Sequence, residues 1–109
     1  MKISKELLKG TTPIMILKTI ELKETYGYEI VQSLYQKSNQ TFRLNEGTLY
    51  PILHSLEKEG FISSYFKKSE FGRERKYYKI TTAGELYLAS QIKEWDLFSD
   101  TVKRVLTGE

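Results

Sequence analysis

The stretch Asn45-Glu46-Gly47-Thr48-Leu49-Tyr50-Pro51, running on as Ile52-Leu53-His54-Ser55-Leu56-Glu57-Lys58-Glu59-Gly60, decides the reading of this chain. Asn45 is a favoured N-cap and Gly60 a left-handed helix stop. Between them Leu49, Ile52, Leu53 and Leu56 share one face of a 3.6-residue wheel. Gly47, Pro51, His54 and Lys58 lie opposite, with Thr48, Ser55 and Tyr50 on the shoulders. Such a helix docks its apolar side on a core and turns a small, polar side outward. Pro51 deletes one intrahelical hydrogen bond and bends the helix if it begins at Asn45, less so if regular bonding starts near Gly47 or Thr48.

Downstream, Phe61-Ile62-Ser63-Ser64-Tyr65-Phe66 and Arg75-Lys76-Tyr77-Tyr78-Lys79-Ile80 have the aromatic and β-branched content of two strands. The polar, glycine-containing loop Lys67 to Glu74 joins them into an antiparallel hairpin. From Lys67 to Lys79 six basic residues stand against Glu70 and Glu74, a net +4 in a chain whose total is +3. The rest of the chain is therefore slightly acidic. A field focused in one hairpin suits an anionic partner met at one place. Beside a helix with an outward polar face, it points to a duplex-reading helix with a cationic wing at phosphate height.

Upstream, apolar residues at 3, 7, 8, 14, 17 and 20 form the buried stripe of one or two helices. Thr12-Pro13 serves as an N-cap and first-turn pair for a helix to Leu22, with Ser4 to Lys9 an earlier turn or a kinked extension. Lys23-Glu24-Thr25 is a polar connector, and Tyr26-Gly27-Tyr28 leads into a helix ending near Lys37-Ser38-Asn39, packed through Tyr28, Val31, Leu34 and Tyr35. After Ser38-Asn39-Gln40-Thr41, Phe42 and Leu44 read as a short extended pair. Beyond the hairpin, Thr81-Thr82-Ala83-Gly84-Glu85 caps a last helix. Its apolar residues at 88, 92, 95, 102 and 106 follow four- and three-residue steps interrupted by Ser99, and Phe98 and Val105 widen the stripe.

Composition sets the outer limits. One hundred and nine residues, 39% hydrophobic and 28% charged, describe a single soluble domain with room for one small extra element. There is no cysteine, so disulfides and thiolate metal sites are excluded, and one histidine builds no imidazole cluster. No cofactor is implied. Met1-Lys2-Ile3-Ser4-Lys5-Glu6 lacks an apolar core of signal-peptide length, and no hydrophobic run approaches the ~18 residues of a membrane span. The expected location is the cytoplasm, without membrane attachment.

Several separated motifs now converge. Leu44-Asn45-Glu46-Gly47-Thr48-Leu49-Tyr50-Pro51, Leu56-Glu57-Lys58-Glu59-Gly60-Phe61-Ile62 and Arg75-Lys76-Tyr77-Tyr78-Lys79-Ile80-Thr81 resemble the PadR family of bacterial transcription regulators. Leu8-Lys9-Gly10-Thr11 and Tyr26-Gly27-Tyr28-Glu29-Ile30 extend the match over essentially the whole chain, and the single C-terminal helix resembles the short subclass. The resemblance implies a mainly α protein with a β-hairpin wing: a winged helix-turn-helix over residues 1–81 and a C-terminal dimerisation helix over 82–109. It implies a homodimeric repressor bound to a palindromic double-stranded DNA operator. A lone helix with a broad apolar stripe, whose burial is worth ~25 cal/mol per Å², fits the requirement for a second chain.

Thr48, Tyr50, Pro51 and His54 are the candidate groove-facing residues, with Lys58 reaching phosphate; an ordinary solvated helix face has the same composition. Tyr50 either joins that surface or lays its ring against the preceding helix. Arg73, Arg75 and Lys76 are the wing candidates, although strand alternation sends Arg75 and Lys76 different ways, so at least one is not a contact. Tyr77 and Tyr78 read as strand packing. In the multidrug-sensing members that the chain resembles, a tryptophan matching Trp95 stacks on planar apolar effectors at the dimer centre. The matching neighbours here are Leu7, Ile14, Leu17 and Ile92, and plain dimer-core packing accounts for them equally well. Ser99 stands where such sensors carry an acidic residue. Two other classes compete: a winged-helix protein-interaction module without DNA binding, and an enzyme. His54 has no catalytic companion, and Glu57, Glu59, Glu94 and Asp96 read as helix-surface charge, so the enzyme is set aside.

Overall fold

In the computed structural model, which describes residues 2–108, the chain forms five helices and three strands in the order α1 (Lys5–Lys9), α2 (Thr12–Leu22), β1 (Thr25–Tyr26), α3 (Gly27–Lys37), α4 (Glu46–Lys58), β2 (Ile62–Lys68), β3 (Glu74–Ile80) and α5 (Thr82–Thr107). The winged-helix architecture expected from the sequence is present: three helices, a wing hairpin and a long final helix. Met1 and Glu109, the outer bounds of the two expected segments, lie outside the described residues.

The helix borders follow side-chain chemistry. Asn45 accepts the Thr48 N–H through Oδ1 at 2.9 Å and opens α4. Gly60, at φ 84°, ends it in the left-handed region. Thr81 caps α5 by accepting from the Gly84 N–H at 3.0 Å. The Thr12-Pro13 expectation needs correction, since α2 already includes Thr12 and its N-cap, Thr11, makes no side-chain cap bond. The Thr12 hydroxyl instead donates to the Leu8 carbonyl at 2.8 Å, tying α1 to α2. Pro51 sits inside an uninterrupted α4. It has no N–H for the Gly47 carbonyl, and Gly47 is exposed, so the lost bond falls on the solvent side of the helix.

The core is one cluster: Ile16, Leu17 and Ile20 of α2, Ile30 and Leu34 of α3, Leu49, Leu53 and Leu56 of α4, Ile62 and Tyr78 of the hairpin, and Leu88 of α5. Two packing expectations change here. Tyr28 is exposed and Ile30 takes the buried position, because the helix begins at Gly27 and turns Ile30 and Leu34 inward together. Phe42 and Leu44 form no strand; Leu44 packs against the core from a loop. That loop follows a turn in which Asn39 and Gln40 both adopt positive φ. Ser38 closes it, accepting the Phe42 N–H and donating to the Tyr35 carbonyl.

The sheet has the order β1-β3-β2 and is antiparallel throughout. Thr25 and Tyr26, read from sequence as connector and helix lead-in, pair with Tyr78 and Tyr77. This third strand fastens the wing to the start of α3. In the hairpin Ser64 faces Tyr78 and Phe66 faces Lys76, so Tyr78 and Lys76 share the face turned to α4, whereas Tyr77 and Arg75 share the other.

The start of α5 belongs to this core. A Cβ on Gly84 would stand 2.0 Å from the Phe61 carbonyl oxygen, Tyr87 stacks on Phe61 with centroids 4.1 Å apart, and Leu88 is buried. From Lys93 onward the helix leaves the body. That projection makes the molecule 57 Å long and 20 Å thin.

Candidate nucleic-acid interface

The face of α4 opposite Leu49, Leu53 and Leu56 carries Gly47, Thr48, Pro51, His54, Ser55 and Lys58, all exposed. Burial of the leucine stripe fixes that outcome, since residues on the far side of a 3.6-residue wheel must face out. Lys58 makes no ion pair among the described residues. The helix thus offers hydroxyl, imidazole and ring surfaces along its length and a free ammonium at its end.

Beside it lies an open cleft of about 570 Å³, lined by Tyr26, Gly27, Tyr28, Tyr50, Arg73, Arg75, Lys76 and Tyr78. Three elements meet there: the start of α3, the middle of α4 and the wing. Tyr50 is half exposed and lies over the start of α3, where a Cβ on Gly27 would come 2.6 Å from its hydroxyl oxygen. The hydroxyl end of Tyr50 thus packs over α3, and the side chain also lines the cleft. The absence of a Cβ at Gly27 leaves room for this close approach.

Arg73, Arg75 and Lys76 reach the same cleft by different routes. Arg73 is exposed at the base of the wing tip and makes no ion pair among the described residues. Arg75 lays its guanidinium 4.3 Å from the Tyr26 ring centroid. Stacking of that kind leaves the in-plane N–H groups available to phosphate. Lys76 is partly engaged, its Nζ 3.9 Å from Glu57, whose carboxylate also accepts from Ser64. The alternation of β3 thus separates a stacked arginine from a lysine held by a carboxylate. Arg73 is the least encumbered of the three.

Tyr77 packs as expected, edge-on to Tyr26 at 5.2 Å and stacked on Tyr65 at 5.8 Å. Tyr78 is buried; burial first, then the Glu57 carboxylate and Tyr50, holds its phenol above the ordinary value near 10. On the outer sheet face, the hydrogen bond from Tyr65 to Glu24 raises the Tyr65 phenol in the same direction. Three cleft residues escaped the sequence reading: Tyr26, Gly27 and Tyr28. The available signal was a glycine between two tyrosines at a helix start, a pattern for close backbone approach.

This geometry has known counterparts. Residues 16–90 match the model of the transcriptional regulator PadR-like family. The chain belongs to that family. A PadR-like regulator of Bacillus cereus superposes with a TM-score of 0.83 at 36% identity, covering 96% of this chain and 100% of the other. A transcriptional regulator of Clostridium thermocellum gives 0.85 at 30% identity, covering 92% and 97%. A transcriptional regulator of Mycobacterium tuberculosis is 30% identical over 105 residues, 96% of this chain and 92% of its own. This PadR-family chain is therefore a transcriptional regulator with a winged-helix DNA-binding fold, and not an enzyme.

The residues that the family resemblance assigned to an effector differ in exposure. Leu7 on α1 and Trp95 on α5 are exposed, at 71% and 44%, and Ile14 and Ile92 are half-buried against the core. Leu17, at 1% exposure, is buried in the cluster with Ile16, Ile20 and the α4 leucines. Trp95 lies beside Phe98, with ring centroids 6.2 Å apart. Among the described residues no helix is long and apolar enough to cross a membrane.

Proposed function

We propose that this PadR-family regulator is a homodimeric repressor that holds a palindromic operator through α4 and the wing. Thr48, Tyr50, Pro51 and His54 meet base edges, Lys58 meets phosphate, and Arg73, Arg75 and Lys76 grip the backbone beside the wing, since Arg75 and Lys76 line one cleft in spite of their alternation along β3. The observation carrying this reading is the continuity of the exposed α4 face with a cleft lined by Tyr50 and three wing cations. Backbone charge neutralisation supplies affinity, and the polar helix face supplies register. Duplex DNA as partner places the chain in the cytoplasm.

The segment 82–109 joins two copies. Support comes from the apolar side chains left in solvent along outer α5: Trp95, Phe98, Val102, Val105 and Leu106. Covering them with the same helix of a second copy is worth ~25 cal/mol per Å², and two-fold symmetry then sets two α4 helices about one DNA turn or a multiple apart. An apolar, planar aromatic effector lodged at Trp95 between the copies releases the operator. It does so only by binding better to a dimer whose α4 spacing no longer fits, because differential affinity alone shifts the equilibrium.

The test is a mobility-shift titration on DNA immediately upstream of the chain's own gene, at two salt concentrations. Wild type retards the fragment, and Lys58→Ala lowers the slope of log affinity against log salt by about one unit. A salt-insensitive complex with another protein and no retarded DNA selects the interaction-module reading instead.

A further inference from the structure

The turn between β2 and β3 carries a side chain that nothing in the fold uses. Phe71 is 88% exposed, more than Leu106 at 79% on the unpartnered outer part of α5. It sits on a braced turn. The Ser69 N–H donates to the Arg73 carbonyl at 2.7 Å, the Gly72 N–H donates to the Ser69 carbonyl at 2.9 Å, and Gly72 takes φ 81°. The ring is therefore presented on an ordered turn, between Lys67 and Lys68 at the end of β2 and Arg73 just before β3. Phe66, also exposed, stands opposite Lys76 just below it. Glu70 on the turn and Glu74 opposite Lys68 are the opposing charges near the tip.

We propose that Phe71 is an apolar wedge that enters between stacked base pairs and bends the operator, an inference that rests on the DNA-binding reading above. The position favours it. Arg73, two residues away, lines the cleft shared with Tyr50, so the tip stands at the rim of the surface assigned to DNA. Apolar side chains flanked by lysine or arginine are the recurring means by which proteins pry open a base step from the minor groove. Cations anchor the phosphates on each side, and the ring replaces the lost stacking with its own face. Specificity follows at bases the chain never hydrogen-bonds, since pyrimidine–purine steps unstack most readily. The chemistry recognised is thus a deformable step flanking the α4 contacts.

The experiment uses the full chain and duplexes that it selects from a randomised pool. Selected sites are placed at successive positions in fragments of equal length to read bending. 2-Aminopurine replaces adenines across the footprint to read unstacking. Wild type bends the fragments by roughly 20–90° and brightens one 2-aminopurine position in each half-site. Phe71→Ala abolishes both signals and binds about tenfold more weakly with an unchanged salt slope, because a phenyl ring releases no counterions. Phe71→Leu retains much of the bend, whereas Arg73→Ala lowers the salt slope. Phe71 is exposed, so all variants keep the wild-type melting temperature. Equal bending and affinity for wild type and Phe71→Ala overturn the wedge and leave the DNA reading intact; failure of wild type to select any duplex overturns both.

Discussion

The winged body and the outer half of α5 are built from the same apolar periodicity, yet one is closed and the other open. In the body, stripes from α2, α3 and α4 converge with Ile62, Tyr78 and Leu88 until every member is buried. Along α5 past Lys93 the steps continue through Trp95, Val102 and Leu106 and meet only solvent. A helical stripe states that burial is needed; it does not state by what. In the body the answer is the chain itself, and in the outer helix we assign it to a second copy.

The largest effect that sharpens this contrast is expected from Leu53→Ala, in the closed region. It should cost about 2–5 kcal/mol in denaturant titration, because the surrounding helices cannot collapse onto the void. Val102→Asp makes the opposite test in the open region. Local stability of the body should stay within about 0.5 kcal/mol, while the dependence of melting temperature on protein concentration disappears. A monomeric wild type in sedimentation at micromolar concentration would break the comparison outright.

Gly27→Ala probes the cleft where the body meets DNA. The new Cβ displaces the Tyr50 hydroxyl, a flexible side-chain end, so stability should change by less than about 1 kcal/mol. Operator affinity in a mobility shift should fall clearly, because Tyr50 is pushed out of the cleft it lines. Unchanged affinity would detach Tyr50 from the interface.

The smallest effect concerns alkaline pH. Tyr78 is held protonated by burial, with Glu57 and Tyr50 adding to it. The unfolded chain loses its phenol proton at the ordinary value near 10, before the folded one does. Stability is thus complete below that pH and declines as pH rises above it. Melting curves of Tyr78→Phe should show a shallower alkaline decline than wild type.

Much of this was legible in one dimension. Asn45, Gly60 and Thr81 act through local bonds to residues at most three positions away or through a backbone sign, so the borders of α4 and the start of α5 were readable. The exposure of Thr48, Pro51, His54 and Lys58 followed from the leucine stripe behind them. What failed were positions set by distant partners. Tyr28 was expected to pack with Val31, Leu34 and Tyr35, but Ile30 takes the buried place in the core cluster, and the ring is left at the cleft. Thr25 and Tyr26 became a strand only because Tyr77 and Tyr78, some fifty residues later, offer an edge.

By itself the sequence determined the main helices and the wing hairpin, the caps at Asn45 and Thr81, the concentration of positive charge in the wing and the polar side of α4, because each depends on spacing, local bonds or formal charge. Tertiary structure alone decided that Tyr50 lies over Gly27 and that Lys76 is held by Glu57 while Arg75 stacks on Tyr26. Those outcomes depend on which surfaces approach within a few ångströms. That distance is set by how α3, α4 and the sheet pack together, and no local pattern encodes it.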